Sequence, residues 1–168
     1  MDFYGSPLRS VPFLNKNPKA KQCLVVFNFA ITWLIVLSYI ALCALFALGI
    51  FERTGINAVK IFLLPCTGLF FVEILRRIFN RPRPYERTDI QPVIGKKKQG
   101  GSFPSRHLFS AFVIGTVWLF YALPVGIALL VLGLVLGYIR FAAGIHYPSD
   151  LFFGALFGVL FGLPVFFF

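Results

Sequence analysis

Residues 123–168 read LPVGIALLVLGLVLGYIRFAAGIHYPSDLFFGALFGVLFGLPVFFF. Two apolar runs, about 125–141 and 148–168, flank a short hinge that carries Arg140, His146, Pro148 and Asp150. Runs of this length and apolarity match the ~20 residues a helix needs to cross the hydrocarbon core of a bilayer. Upstream, Leu123–Pro124 makes a tight turn out of a third apolar run, which starts near Pro104 and ends near Tyr121. Before it lies the one long hydrophilic loop, 80–102, and before that a run from Ile61 to Phe79 with Pro65 near its start. Phe51 to Lys60 reads as a short polar turn, and Leu24 to Ile50 as the first span. At 1.5 Å per residue that first span is about 40 Å long, enough to tilt or protrude.

The sequence therefore predicts an all-α fold: an integral membrane helical bundle of about five transmembrane helices. An interfacial N-terminal arm, 1–21, precedes a single membrane-embedded domain, 22–168. The arm mixes Phe3, Tyr4, Val11, Phe13 and Leu14 with three prolines and a basic end, Lys16, Lys19 and Lys21. That composition suits the headgroup layer. The run after the arm is too long for a signal peptide and lacks a small-residue cleavage site.

Composition agrees. The chain is 58% hydrophobic and 18% aromatic, with 13% charged residues and a mean hydropathy of +0.83. A soluble domain carries about 25% charged residues. Phe occupies 22 positions, more than the 16 Lys and Arg together. A disordered chain, a secreted disulfide scaffold and an ordinary cytosolic domain are excluded. The net charge of +10 sits between apolar runs, so lipid headgroups and phosphates are the expected partners rather than nucleic acid. Cys23, Cys43 and Cys66 lie inside apolar runs without metal or redox spacing, and read as small side chains at membrane depth.

Ionisable residues at membrane depth are functional candidates. Three clusters stand at predicted helix ends. The first is Arg76–Arg77–Ile78–Phe79–Asn80–Arg81–Pro82–Arg83–Pro84, where alternating prolines keep the chain extended. The second is Ser102–Phe103–Pro104–Ser105–Arg106–His107, where Pro104 suits a first helical turn whose free amides attract anions. The third is Arg140, His146 and Asp150: a cation at a helix C-terminus, then a His and an Asp four residues apart. A carboxylate at that spacing can hold one imidazole nitrogen while the other faces a substrate. Antiparallel packing of the third and fourth spans brings all three clusters to one membrane face, where they form an oxyanion site.

This combination resembles the type 2 phosphatidic acid phosphatase family of lipid phosphate phosphatases, whose site is shared with vanadium haloperoxidases. The resemblance rests on Arg76 seven places before Arg83–Pro84, on Pro104–Ser105–Arg106–His107, and on Arg140, His146 and Asp150 in the third spacing. It implies that His146 is a nucleophile that becomes a phosphohistidine, oriented by Asp150. It implies that His107 is the general acid, and that Arg76, Arg83, Ser105 and Arg140 bind phosphate; Arg106, between Ser105 and His107, is a further phosphate-binding candidate. No cofactor is expected: the sequence has no Asp/Glu/His cluster suited to magnesium or zinc, so arginines supply the positive charge.

Three positions depart from the family pattern. Arg76 stands for the usual Lys, Ile139 for the Ser before Arg140, and Arg106 for the Gly before His107. Arg106 can bind a second phosphate, as a diphosphate lipid would need; it can equally turn to the headgroups or narrow the pocket.

The expected activity is hydrolysis of a lipid phosphomonoester or diphosphate, with undecaprenyl diphosphate, phosphatidylglycerophosphate and phosphatidic acid as candidates. The alternatives are a lipid phosphotransferase using the same site and a non-catalytic lipid-binding membrane protein. The site's side carries Arg9, Lys16, Lys19, Lys21 and Lys96–Lys98, against Arg53 and Lys60 on the other. The positive-inside rule then places the site at the cytoplasmic face of the cell membrane. Oligomeric state is not legible. Glu73 is expected to pair with Arg76 or Arg77 one turn on.

Overall fold

In lipid every backbone amide must find a partner within the chain, which leaves helices as the economical solution for apolar runs this long. The structure, a computed structural model, describes residues 6–51, 54–87, 92–94 and 99–167. The elements formed by the described residues are all helical, with no strand among them. Helix α1 is Ser6–Lys16 and α2 is Pro18–Ala47; a short α3, Gly55–Ala58, leads through a π-helical stretch into α4, Leu64–Phe79. Then follow α5, Arg106–Tyr121; α6, Leu123–Ala142; and α7, Pro148–Gly162, extended by a 3-10 turn, Leu163–Phe166. Three of these, α2, α6 and α7 with its extension, are long and apolar enough to cross a membrane. Helix α5, at 16 residues, is shorter, about 24 Å.

Helix α5 is the central element, packed along α6 on one side and α7 on the other. Phe109, Val113 and Val117 of α5 are fully buried against Val72 of α4, Leu42 of α2 and Leu136 of α6. The outer faces are apolar instead of polar: Phe29, Trp33 and Leu37 of α2, Tyr138 of α6 and Phe152 of α7 are all exposed. On a soluble protein such surface would be covered; here it is the lipid-facing side.

The close approach of α7 to α5 depends on Gly154, Gly158 and Gly162, spaced four apart on one face of the helix. A Cβ at Gly158 would stand 2.7 Å from the Phe109 carbonyl oxygen, and one at Gly154 would stand 2.6 Å from that of Ser105.

Two boundaries differ from the sequence reading. The expected polar turn, Phe51–Lys60, is helical from Gly55, because the Thr54 hydroxyl accepts the Asn57 amide at 3.2 Å and caps the helix. Lys60 is consequently not a loop cation but a buried residue whose ammonium lies 4.1 Å from the ring centre of Phe120. The π-helical stretch, Val59–Leu63, has a local cause in Pro65, which has no N–H for the Ile61 carbonyl and whose ring crowds it. Tyr39 Oη on α2 takes up that carbonyl at 3.2 Å. Pro104, expected in the first turn of the third span, precedes the helix; Ser105 is the N-cap and Arg106 the first helical residue.

Of the expected N-terminal arm, Ser6–Lys16 form α1, folded onto the bundle, while 18–21 already belong to α2. Val11 and Leu14 are buried with Val93, Ala143 and Ile145, and Ser10 Oγ donates to the Ala142 carbonyl at 2.8 Å. Residues 1–5, Glu52, Arg53 and the lysine run 96–98 lie outside the described residues. If the α5–α7 contact sets the bundle, Gly158→Leu lowers stability by about 1–3 kcal/mol in detergent melting. Phe152→Leu on the lipid face stays within about 0.5 kcal/mol; equal melting of the two variants would refute the packing argument.

Candidate functional site

Four helix ends meet at one end of the bundle: the last turns of α4 and α6 and the first turns of α5 and α7. Asn80 ends α4 in a left-handed conformation (φ 33°), which turns the chain into the non-helical segment 81–83, ahead of a 3-10 turn, Pro84–Arg87. That segment runs beside 99–102. The Ser102 amide donates to the Arg81 carbonyl at 2.9 Å, and Glu86 Oε1 accepts the amides of Arg83 and Gly100, both at 2.9 Å. Gly101 (φ 60°) lets the backbone pass close to Arg76, whose Nη2 would be 3.1 Å from a Cβ there.

Asp150, in the first turn of α7, is completely buried. Its Oδ2 accepts the Ser102 hydroxyl at 2.5 Å and the Tyr147 amide at 2.9 Å, and lies 3.6 Å from His146 Nδ1. Its Oδ1 accepts Arg81 Nη1 at 2.8 Å. The same Nη1 also donates to Ser149 Oγ at 2.8 Å, and the Arg81 guanidinium lies 4.1 Å from the ring centre of Tyr147. The backbone carbonyl of Asp150 accepts the Ser105 amide at 2.9 Å, which locks the start of α5 onto the start of α7.

His146 is buried in the turn between α6 and α7. Burial pushes its imidazole down from 6.5 to about 4; the Asp150 carboxylate pulls upward, while the charges of Arg140 and Arg83 push down. At neutral pH the ring is neutral and keeps a lone pair.

The other expected residues gather round this pair. Arg140 is buried in the last turn of α6, and its Nε has no hydrogen-bond partner among the described residues. Ser105 Oγ, at the N-cap of α5, is likewise buried without a partner there. Arg76 is buried and donates through Nη1 to the Pro104 carbonyl at 2.9 Å, and Arg83 Nε reaches the Gly100 carbonyl at 3.3 Å. His107 follows Arg106 in the first turn of α5. Arg106 is more exposed, with Nη1 3.3 Å from Glu73 Oε2. Glu73 also faces Arg76 at 3.7 Å and Arg77 at 4.0 Å, so its expected helical pairing extends to a third arginine on α5.

Arg106 and His107 also form the polar end of a cavity of about 400 Å³, whose walls include Ile35, Tyr39, Pro65 and Leu69. Arg76 and Arg83 line a second pocket, together with Glu73, Arg77, Asn80 and Gly100. Guanidiniums outnumber carboxylates here, and no group of three or more His, Cys, Asp or Glu among the described residues could hold a metal ion.

Two contributors lay outside the expected site. Arg81 and Ser102 hold Asp150, and each belongs to a motif cluster without having been assigned a role. The signal for Arg81 was the doubled Arg-Pro, although only Arg83–Pro84 has a basic residue, Arg76, seven places before it. Ser102 carried no distinguishing signal.

A helical membrane bundle with a buried His–Asp pair in an arginine-lined pocket at one end is the class defined by this fold and site. The chain belongs to the PAP2 superfamily, whose family model matches residues 57–168, two thirds of its length. It is similar to undecaprenyl-diphosphatase BcrC of Bacillus subtilis (strain 168), at 28% identity over 99 residues, covering 59% of this chain and 51% of that protein. It is also similar to bacitracin transport permease protein BcrC of Bacillus licheniformis, at 43% identity over 65 residues, covering 39% and 32%. The chain thus spans about half and a third of the lengths of these curated relatives.

Among solved structures, Aquifex aeolicus LpxE matches with a TM-score of 0.70 and 27% identity, covering 96% of this chain and 94% of that one. A transmembrane PAP2-type phosphatidylglycerolphosphate phosphatase from Bacillus subtilis matches with a TM-score of 0.70 at 20% identity, covering 97% and 82%. The second likeness shows the fold alone.

Two outcomes follow from the geometry. Arg81→Ala leaves a buried carboxylate short of its charged partner and destabilises the protein by about 3 kcal/mol. Arg77→Ala, at an 82% exposed side chain, changes stability by less than ~0.5 kcal/mol in the same unfolding assay. Equal effects would show that Asp150 does not depend on Arg81. Ring ¹⁵N shifts, assigned with a His107→Asn variant, show His146 neutral at pH 6; a protonated ring at that pH would contradict the burial argument.

Proposed function

We propose that the chain is a membrane lipid phosphate phosphatase. It hydrolyses a lipid phosphomonoester or diphosphate, of the undecaprenyl diphosphate, phosphatidylglycerophosphate or phosphatidic acid class, through a phosphohistidine on His146. The observation that carries this reading is the buried His146–Asp150 pair beside two buried donors, Ser105 Oγ and Arg140 Nε, that have no partner among the described residues. Buried polar groups are ordinarily satisfied, so this pair of orphans suits an anion that brings its own acceptor oxygens. The similarity to BcrC, an undecaprenyl-diphosphatase, supports the substrate class.

In this reading Asp150 holds His146 Nδ1–H, leaving the Nε2 lone pair for the phosphorus. Arg76, Arg83, Arg140 and Ser105 bind the phosphoryl oxygens and stabilise the charge that builds up on them. His107 protonates the leaving oxygen and then deprotonates the water that cleaves the phosphohistidine. The positive charge comes from arginines, so the reaction needs no metal. The catalytic unit is 22–168, the arm 1–21 lies at the interface, and the charge asymmetry puts the site at the cytoplasmic face.

Purified protein in detergent, given these three lipids with a chelator present, releases phosphate from at least one of them. His146→Ala lowers the rate by roughly 10³-fold or more. The same assay in oriented vesicles runs faster from the cytoplasmic face. Chelator-sensitive turnover, or turnover that survives in His146→Ala, would sink the mechanism.

A further inference from the structure

Arg106 occupies a position that glycine fills in the motif, and its guanidinium is placed with some care. It borders, with His107, the polar end of the 400 Å³ cleft. Its counterion Glu73, at 3.3 Å, is shared with Arg76 and Arg77, so one carboxylate stands opposite three guanidiniums. That end of the cleft keeps a surplus of positive charge, which an anion would complete.

In the phosphatase reading, on which this inference rests, the transferred phosphoryl group already has its holders in Arg76, Arg83, Arg140 and Ser105. The lipid tail has the apolar cleft. Between the two lies the leaving group, beside the histidine that protonates it, and that is where Arg106 stands. We infer that Arg106 binds a second phosphate, the one that remains on the lipid, and makes the enzyme selective for lipid diphosphates over monophosphates. Glu73 holds the guanidinium in the free protein, and the second phosphate replaces it as partner.

The step balances. His146 Nε2 forms a bond to the terminal phosphorus, and the bond from that phosphorus to the bridging oxygen breaks. The electron pair stays on the bridging oxygen, which takes the proton of His107 and departs as the lipid monophosphate. Water then attacks the phosphohistidine and gives a proton back to His107. The N–P electron pair returns to His146, and inorganic phosphate leaves. With a monophosphate substrate the leaving group is a neutral alcohol, which offers Arg106 no charge to hold.

The test compares farnesyl diphosphate with farnesyl monophosphate, which share one tail, using full-length protein in detergent. The readout is the ratio of their kcat/KM values, so losses of folded protein cancel. Wild type prefers the diphosphate by about tenfold or more, and Arg106→Gly lowers that ratio by about 10- to 100-fold. Arg106→Lys gives an intermediate ratio, because an ammonium keeps the charge without the planar fork. A wild-type ratio near one, or an unchanged ratio in Arg106→Gly while both substrates are turned over, overturns the role of Arg106 and leaves the phosphatase standing. Absence of release from both substrates in wild type removes the phosphatase reading and the role of Arg106 together.

Discussion

A single carboxylate, that of Asp150, ties the functional end of this bundle together. It is fully buried, and a buried charge without partners would cost several kcal/mol. Its partners arrive from three places in the chain: Arg81 after α4, Ser102 before α5, and Tyr147 with His146 ahead of α7. None of these segments can shift without stranding the charge. The requirement to satisfy Asp150 is therefore also what fixes the imidazole of His146 next to the arginines.

The bundle behind the site serves that requirement. The glycine face of α7 brings its backbone against α5, so the Ser105 amide can reach the Asp150 carbonyl. Helix α1 closes the other side, with Val11 and Leu14 packed under Ala143 and Ile145 in the turn that carries His146. The turn is clamped between an apolar floor and a polar wall. In the proposed reaction, pre-positioning of this kind is worth a large factor in rate, because the nucleophile must meet phosphorus in line.

Much of this was legible in the sequence, for physical reasons that can be named. Long apolar runs read as spans because membrane helices need no polar face, and four of the five expected runs agree with helices to within a few residues apart from α2, which starts six residues early at Pro18. His146 and Asp150 were legible as a pair because four residues bridge a turn and the first turn of a helix. Contacts between distant segments were not legible. Arg81 reaches Asp150 across 69 residues and Arg106 reaches Glu73 across 33, and nothing local distinguishes them from flanking charges. The helical start at Gly55 escaped notice because Gly55, Asn57 and Lys60 look like turn residues, although Thr54 caps them. The packing of α1 depends on two apolar residues among prolines and lysines, a pattern equally suited to a headgroup arm.

The most direct test is to locate the covalent phosphate. Protein mixed briefly with a ³²P-labelled lipid diphosphate, quenched in base and digested should carry an acid-labile phosphoryl group on the His146 peptide. In Asp150→Asn that label should not accumulate, because the imidazole loses the carboxylate that orients it. Label on the His107 peptide, or on His146 to the same extent in the variant, would contradict the account.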